Sequence, residues 1–393
     1  MLIYNEQLEE LAKYRSTTGS PMISLYVNVT PPYDDMTQLH SLIHSARNEC
    51  REKMDPGAAD DLERLFSQIE KYARTNLKRL KNTHLVVIFA DSSGFWQEYQ
   101  LPVSLPGQMV VEPKPYIRPL TALMDEFERY LVLIADSRHA RLFSLYLGDF
   151  EEQPDVFMES DVPDRVRVNA SRAETGGQAA GKVYGGLGDK RIESHIKDQI
   201  HKHLKYAADK TFDYFRGKNF TRFLIGTPDD KNRPWLKGHL HSYLKERLAG
   251  EFNANPTLPD TELKKAAMEA ASQFERENER RIIDAIFEKS ISGNMAVLGI
   301  DPVIRALQKG QVHTLVIEND YKTKGYICHD DHVLSSMEEN CPLCGAPMTE
   351  VGDLIDEMAG EAILHNSEIT HIFSAHEEFQ KYHAGALLRF SMQ

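Results

Sequence analysis

The chain has 393 residues, enough for two or three domains that each bury a core. Its 59 acidic against 46 basic side chains give a formal charge of −13, which excludes a protein that coats nucleic acid without specificity. Ordinary apolar content excludes a largely disordered chain, no apolar run nears the roughly 20 residues of a membrane span, and four cysteines are too few for a disulfide scaffold.

The first segment opens with a helical pattern (Leu8, Leu11, Tyr14), then a strand-like run from Met22 to Val29 that stops at Pro31-Pro32. Two helices are expected next, roughly Met36 to Lys53 and Ala58 to Leu80, broken at Pro56-Gly57. Leu85 to Ala90 reads as a buried strand. The acid-bearing, amphipathic N-terminus does not read as a signal or transit peptide, so a reducing cytoplasm is the expected compartment.

The second segment begins with a buried strand, Tyr130 to Asp136, whose hairpin partner is Arg141 to Leu147 with a turn at Gly148-Asp149. A polar, glycine-rich stretch from Asp161 to Asp189 lacks periodicity and is expected to be a long loop, a kind of segment that is usually functional or disordered. A basic amphipathic helix follows over Lys190 to Phe215, then a strand (Phe220 to Gly226) and a helix (Pro234 to Leu248). From Asp164 to Lys218 there are twelve Lys/Arg against seven Asp/Glu, plus three histidines, so basic charge gathers here in an otherwise acidic chain.

The third segment starts in a charged helix, Glu262 to Ser290, expected to link two domains and to be solvated. Strand (Met295 to Gly299), helix (Asp301 to Gln308) and strand (His313 to Ile317) then alternate. A cysteine-rich insertion precedes a helix (Asp353 to His365), a strand (Ile369 to Phe373) and a closing Ala384 to Phe390. Alternating elements predict layered α/β domains. The expected division is 1–129, 130–272 and 273–393, with a metal-binding minidomain at 325–348.

Inside the long basic loop lies Gly176-Gly177-Gln178. Adjacent glycines allow φ > 0 and strip side chains from one point of the backbone, so main-chain N–H groups can approach a substrate closely. The following glutamine sets an uncharged donor and acceptor at the tip. That combination suits ester hydrolysis by water, in which the protein supplies positioning and hydrogen bonds. Arg172, Lys182, Lys190 and Arg191 flank the loop and are the candidate contacts to RNA phosphates.

With this loop in view, the central segment resembles the middle domain of the archaeal and eukaryotic class-one peptide release factors, a family with Pelota and Balon relatives. The strand pair before the loop, the helix after it, Phe223-Leu224-Ile225-Gly226-Thr227-Pro228 and Leu236 to Leu248 all fit that pattern. So do Ala296-Val297-Leu298-Gly299, Gly310 to Ile317 and Gly385 to Phe390. The resemblance implies a three-domain α/β architecture and a partner in the ribosomal A site, with its rRNA and peptidyl-tRNA. It further implies that the Gln178 backbone N–H stabilises developing charge, that its side chain shapes the water site, and that Gly176 and Gly177 permit the backbone conformation. An elongation-factor-like GTPase stays open as a recruiting partner.

The chain departs from members that read stop codons. Neither Asn-Ile-Lys-Ser nor Tyr-x-Cys-x-x-x-Asn is present; the corresponding stretch is Ser45 to Lys53. Ile117 to Tyr130 is too short for the second codon-contacting element. Peptide release without decoding, as in ribosome rescue, is therefore expected. The alternative is a non-catalytic A-site binder in hibernation or quality control.

Cys328-x3-His332-x8-Cys341-Pro-Leu-Cys344-Gly345 has the spacing of a tetrahedral zinc knuckle. Four protein ligands leave no open position, so the expected zinc is structural. His329 rivals His332 as the fourth ligand, with His332 preferred on spacing. Asp136-Ser137-Arg138-His139 reads as a strand-end turn, and His239 and His241, two apart on one helix, do not suit a shared metal.

Overall fold

The computed structural model describes residues 5–15, 21–30, 36–50, 56–77, 80, 83–153, 158–159, 187–228, 231–292 and 295–391. Its contacts form two compact units, Met1–Phe127 together with Glu275–Gln393, and Glu128–Phe274. Among the described residues no helix is long and apolar enough to cross a membrane.

The chain enters the first unit through α1 (Asn5–Lys13), β1 (Met22–Asn28), α2 (Thr37–Cys50) and α3 (Pro56–Asn76). Then come β2 (Leu85–Asp91), β3 (Trp96–Leu101), β4 (Gln108–Glu112) and α4 (Arg118–Glu126). The strands form an antiparallel sheet in the order β3-β2-β1-β4, with Leu25 opposite both Ile88 and Met109. One face, with Ile23, Leu25, Val86 and Ile88, packs on Leu39, Ile43, Phe66 and Ile69 of α2 and α3. The other is also buried, and there Phe89 meets Tyr26 and Tyr99 edge-on at ring distances of 6.1 and 6.3 Å. Burial on both faces is why β2 is apolar without alternation.

In the second unit β5 (Tyr130–Ala135), β6 (His139–Tyr146), β7 (Asp149–Glu152) and β8 (Met158–Glu159) precede α5 (Leu187–Arg216). The chain continues through β9 (Arg222–Thr227), α6 (Asn232–His239), α7 (Ser242–Glu246), β10 (Leu248–Asn253) and α8 (Asp260–Ser292). The sheet runs β10-β9-β5-β6-β7, with β8 also paired to β6 and β9 parallel to both of its neighbours. Leu131, Leu133 and Ala135 face Leu204, Ala208 and Phe215 of α5. The alternate residues Tyr130, Val132 and Ile134 face Leu263, Ala267 and Ala271 of α8. A three-layer α/β/α unit results.

Back in the first unit, α8 residues from Glu275 onward lead to β11 (Ala296–Leu298), α9 (Ile300–Gln308) and β12 (Val312–Glu318). β13 (Gly325–Ile327), β14 (Leu334–Ser335) and β15 (Thr349–Val351) make a small separate sheet. α10 (Leu354–Leu364), β16 (Glu368–Ile372) and β17 (Ala384–Leu388) complete the chain, and the larger sheet has the order β11-β17-β12-β16. Val303, Leu307 and Met358 of α9 and α10 pack on one face of this sheet, and Ile283 and Ile286 of α8 on the other.

A buried polar lock joins the N-terminal and C-terminal parts of this first unit. The Asp356 carboxylate accepts from the backbone N–H groups of Ile117 (3.0 Å) and Arg118 (2.8 Å), serving the orphan donors that open α4. Lys114 pairs with Asp356 and Glu357, both at 2.9 Å. The Arg118 guanidinium reaches Asp353 at 2.9 Å and the Glu318 carbonyl at 2.9 Å, while Tyr116 donates to Asp353 at 2.9 Å. Asp353 also caps α10 by accepting from Ile355 N–H. Nearby, buried His371 meets the Thr121 hydroxyl at 2.9 Å, and burial, with the Arg118 charge, pushes its pKa down to about 3.

Two sequence expectations change here. The helix expected over Pro234 to Leu248 is two short helices and a strand: Leu240 is extended, and the His241 ring accepts from Tyr243 N–H to start α7. The expected linking helix is longer than its charge run and contributes apolar side chains to both units.

Candidate functional site

Arg172, Gly176, Gly177, Gln178 and Lys182 lie in 160–186, outside the described residues. Lys190 and Arg191 fall in the opening turns of α5, with side chains also outside the description. The elements on either side of this stretch are defined. β8 pairs with β6 through Ala140↔Met158 and His139↔Glu159. At the other end α5 is anchored by Leu204, Ala207, Ala208 and Phe215, all buried against the sheet. The segment thus begins at a sheet edge and ends at the start of a 30-residue helix.

The cysteine-rich insertion gives a second site. Cys328 follows β13 directly, and Cys341 and Cys344 stand on a tight turn ahead of β15. In that turn the Gly345 N–H donates to the Cys341 carbonyl at 2.8 Å, and Gly345 takes φ 74°, in the left-handed region that favours glycine. Gly325 lets the small sheet lie against α10: a Cβ there would stand 2.8 Å from the Ser335 carbonyl oxygen and 2.7 Å from Leu354.

Cys328, Asp331, Cys341 and Cys344 bring one ligand atom each to within 4.8 Å of one another. The Cys328 and Cys344 sulfurs are 3.7 Å apart, and Asp331 Oδ2 lies 3.3 Å from Cys341 and 3.8 Å from Cys328. A tetrahedral ion with metal–sulfur bonds of about 2.3 Å needs sulfur–sulfur edges of about 3.8 Å, and sulfur–oxygen edges a little shorter. The donor set therefore fits a closed metal centre in size and chemistry.

The fourth position differs from the expectation. Neither His332 nor His329 is in the cluster; Asp331 is. The backbone passes through φ 54° at His332 and directs its ring toward Glu361, 3.6 Å away, while His329 is exposed and stands outside the cluster. The signal for Asp331 was present in the spacing, because Cys328-x2-Asp331 mirrors Cys341-x2-Cys344. Hydrogen bonding to Asp331 pushes the Cys344 thiol up to about 12, and the thiols in turn hold the Asp331 carboxyl below its ordinary range. Protons held in this way are those a bound cation displaces.

The remaining sequence candidates resolve into structural roles. Asp136 accepts from the N–H groups of Arg138 (2.7 Å) and His139 (2.6 Å), closing the turn between β5 and β6. His239 and His241 do not share a helix: the first meets His201 at 3.0 Å and the second stacks on Phe212.

Residues 115–276 match the family model described as bacterial archaeo-eukaryotic release factor family 10, a span that contains the whole second unit. Peptide chain release factor subunit 1 of Methanococcus maripaludis (strain C5) is 23% identical over 429 residues, covering 96% of this chain and 94% of its own. The protein of that name from Methanopyrus kandleri is 24% identical over 359 residues, covering 87% and 78%. Among solved structures, an archaeal translation termination factor matches at 15% identity over 99% of both chains, with a TM-score of 0.28.

Proposed function

We propose that this chain, a relative of the archaeal and eukaryotic peptide chain release factors, acts on the ribosome and hydrolyses the peptidyl-tRNA ester without reading a stop codon. The observation that carries this reading is Gly176-Gly177-Gln178, which lies between β8 and α5 inside the family-matched span. The Gln178 backbone N–H stabilises the charge that develops on the ester, its side chain orients water, and the two glycines admit the backbone to the reacting centre. Arg172, Lys182, Lys190 and Arg191 hold the loop against rRNA phosphates. The absence of Asn-Ile-Lys-Ser and Tyr-x-Cys-x-x-x-Asn separates release from decoding and favours rescue of stalled ribosomes. Such work places the protein in the cytoplasm, with an elongation-factor-like GTPase as a candidate recruiter.

The cysteine cluster completes the reading as a structural centre. Three thiolates and a carboxylate suit Zn²⁺, which would tie the small sheet together and take no part in ester hydrolysis. The test is co-sedimentation with ribosomes together with release of labelled peptide, for wild type and Gly177→Ala. Binding by both and release by wild type alone supports the hydrolase. Binding by both with release by neither sinks it and leaves a protein that only occupies the A site.

A further inference from the structure

The second unit carries a charged surface that the loop does not explain. Between His195 and Arg247 there are twelve Lys/Arg against six Asp/Glu and five histidines, in a chain whose net charge is −13. Other cations of the unit are neutralised locally: Arg141 pairs with Glu152 at 2.5 Å, Arg222 with Glu128 at 2.6 Å and Lys237 with Glu251 at 2.5 Å. Lys202, Lys205, Arg216 and Lys245, all exposed on α5 and α7, have no carboxylate partner among the described residues. Like charges on one small unit repel, and a complementary polyanion removes that cost.

Rings lie among these cations. His241 stacks on Phe212 at 3.9 Å and 14°, with Arg216 over the Phe212 ring at 5.5 Å. Tyr243 packs edge-on against Phe215 and leaves 38% of its surface exposed, and the Arg247 guanidinium lies 3.6 Å from its ring centre. A solvated helix face needs cations but has no use for ordered, half-exposed rings beside them. Backbone charge plus flat ring faces is the pairing that unpaired nucleotides recognise.

We infer that the α5–α7 face is an RNA-binding platform, with Lys202, Lys205 and Lys245 holding backbone phosphates and the Tyr243–Arg247 pair stacking an unpaired base. The inference rests on the proposed work at the ribosome for the identity of the RNA, and on the face itself for the binding. It adds a second RNA contact, apart from the residues that flank Gly176-Gly177-Gln178.

Full-length protein is titrated into a fluorescein-labelled single-stranded RNA of about 20 nucleotides, from roughly 50 to 200 mM KCl. Replacing Lys202, Lys205 and Lys245 with Gln should weaken binding about tenfold or more at 100 mM salt and flatten the log–log salt slope by about 2. Tyr243→Ala should leave the slope unchanged while weakening binding by about fivefold or more, and Tyr243→Phe should bind as wild type. The lysines are exposed, so the triple variant keeps the inference testable if Tyr243→Ala does not fold. Triple-variant binding within twofold of wild type, with the same slope, overturns the platform, as does wild-type protein that fails to bind at the lowest salt. Gly177→Ala separates the two proposals: normal RNA binding with lost peptide release supports both, whereas normal RNA binding with release by neither protein would remove the hydrolase reading and leave the platform standing.

Discussion

The protein holds two gatherings of charge that follow opposite rules. In the first unit Lys114, Arg118, Asp353, Asp356 and Glu357 are buried, and each is held by partners within hydrogen-bond or ion-pair distance. On the α5–α7 face of the second unit Lys202, Lys205 and Lys245 are exposed and lack a carboxylate partner among the described residues. Desolvated charge is tolerable only when paired, so the first cluster is spent within the fold. Solvated charge can stay unpaired at little cost and remain available for another molecule. Burial and pairing together therefore tell structural charge from functional charge, which a count of Lys and Arg cannot do.

The comparison breaks most sharply at Asp356. Asp356→Ala leaves Lys114 with Glu357 alone and strands the first N–H groups of α4 in the interior, and should cost about 3–5 kcal/mol in urea unfolding. A cost below about 1 kcal/mol would mean that the lock is not structural.

The proposed zinc site gives the next effect. Cys341→Ala and Asp331→Ala should each weaken zinc binding by more than the roughly 10–100-fold that an outer partner costs, read by metal titration. His332→Ala should keep wild-type affinity, because His332 stands outside the cluster. The reverse result would restore the histidine as ligand.

The buried cluster also predicts a pH response. Burial, and then the charge of Asp356, raise the Glu112 carboxyl to about 7 from 4.5. The folded state thus holds that proton more tightly than the unfolded chain. The stability it contributes is fully present below about pH 4.5 and is lost as pH rises through about 7, by up to roughly 3 kcal/mol. His371 acts in the opposite sense: with its pKa depressed to about 3, its contribution is present above pH 6.5 and is lost as pH falls toward 3. Denaturation of Glu112→Gln across this range should show a smaller decline between pH 4.5 and 7 than wild type, the remainder belonging to Glu357, which burial also raises, while the low-pH loss remains. An unchanged profile would remove Glu112 from the cluster's account.

The smallest expected effect is on the stability of the exposed lysines. Lys202→Gln, Lys205→Gln and Lys245→Gln should each change unfolding free energy by less than about 0.5 kcal/mol, whatever they do to RNA binding. A larger loss would place them with the structural charges.

Much of this organisation was legible in the sequence, and the parts that were not share a physical cause. Leu85–Asp91 and Tyr130–Ala135 are buried on both faces and so stand out as apolar runs. β3, β4 and β10 are half-buried strands with polar residues on one face, and their pattern merges with loop composition. The lock joins residues more than 230 positions apart, which no local periodicity reports. In the cysteine cluster the three cysteines were legible and Asp331 was not, because histidine is the commoner partner of cysteine in such spacings. Gly176-Gly177-Gln178 remains a motif read from sequence, since it falls outside the described residues.

The most direct test of the central claim is release of labelled peptide by the wild-type chain from ribosomes stalled with a sense codon, a stop codon or no codon in the A site. Release in all three states at similar rates is the expected result. Release confined to the stop codon would contradict hydrolysis without decoding, and release in none would contradict hydrolysis itself.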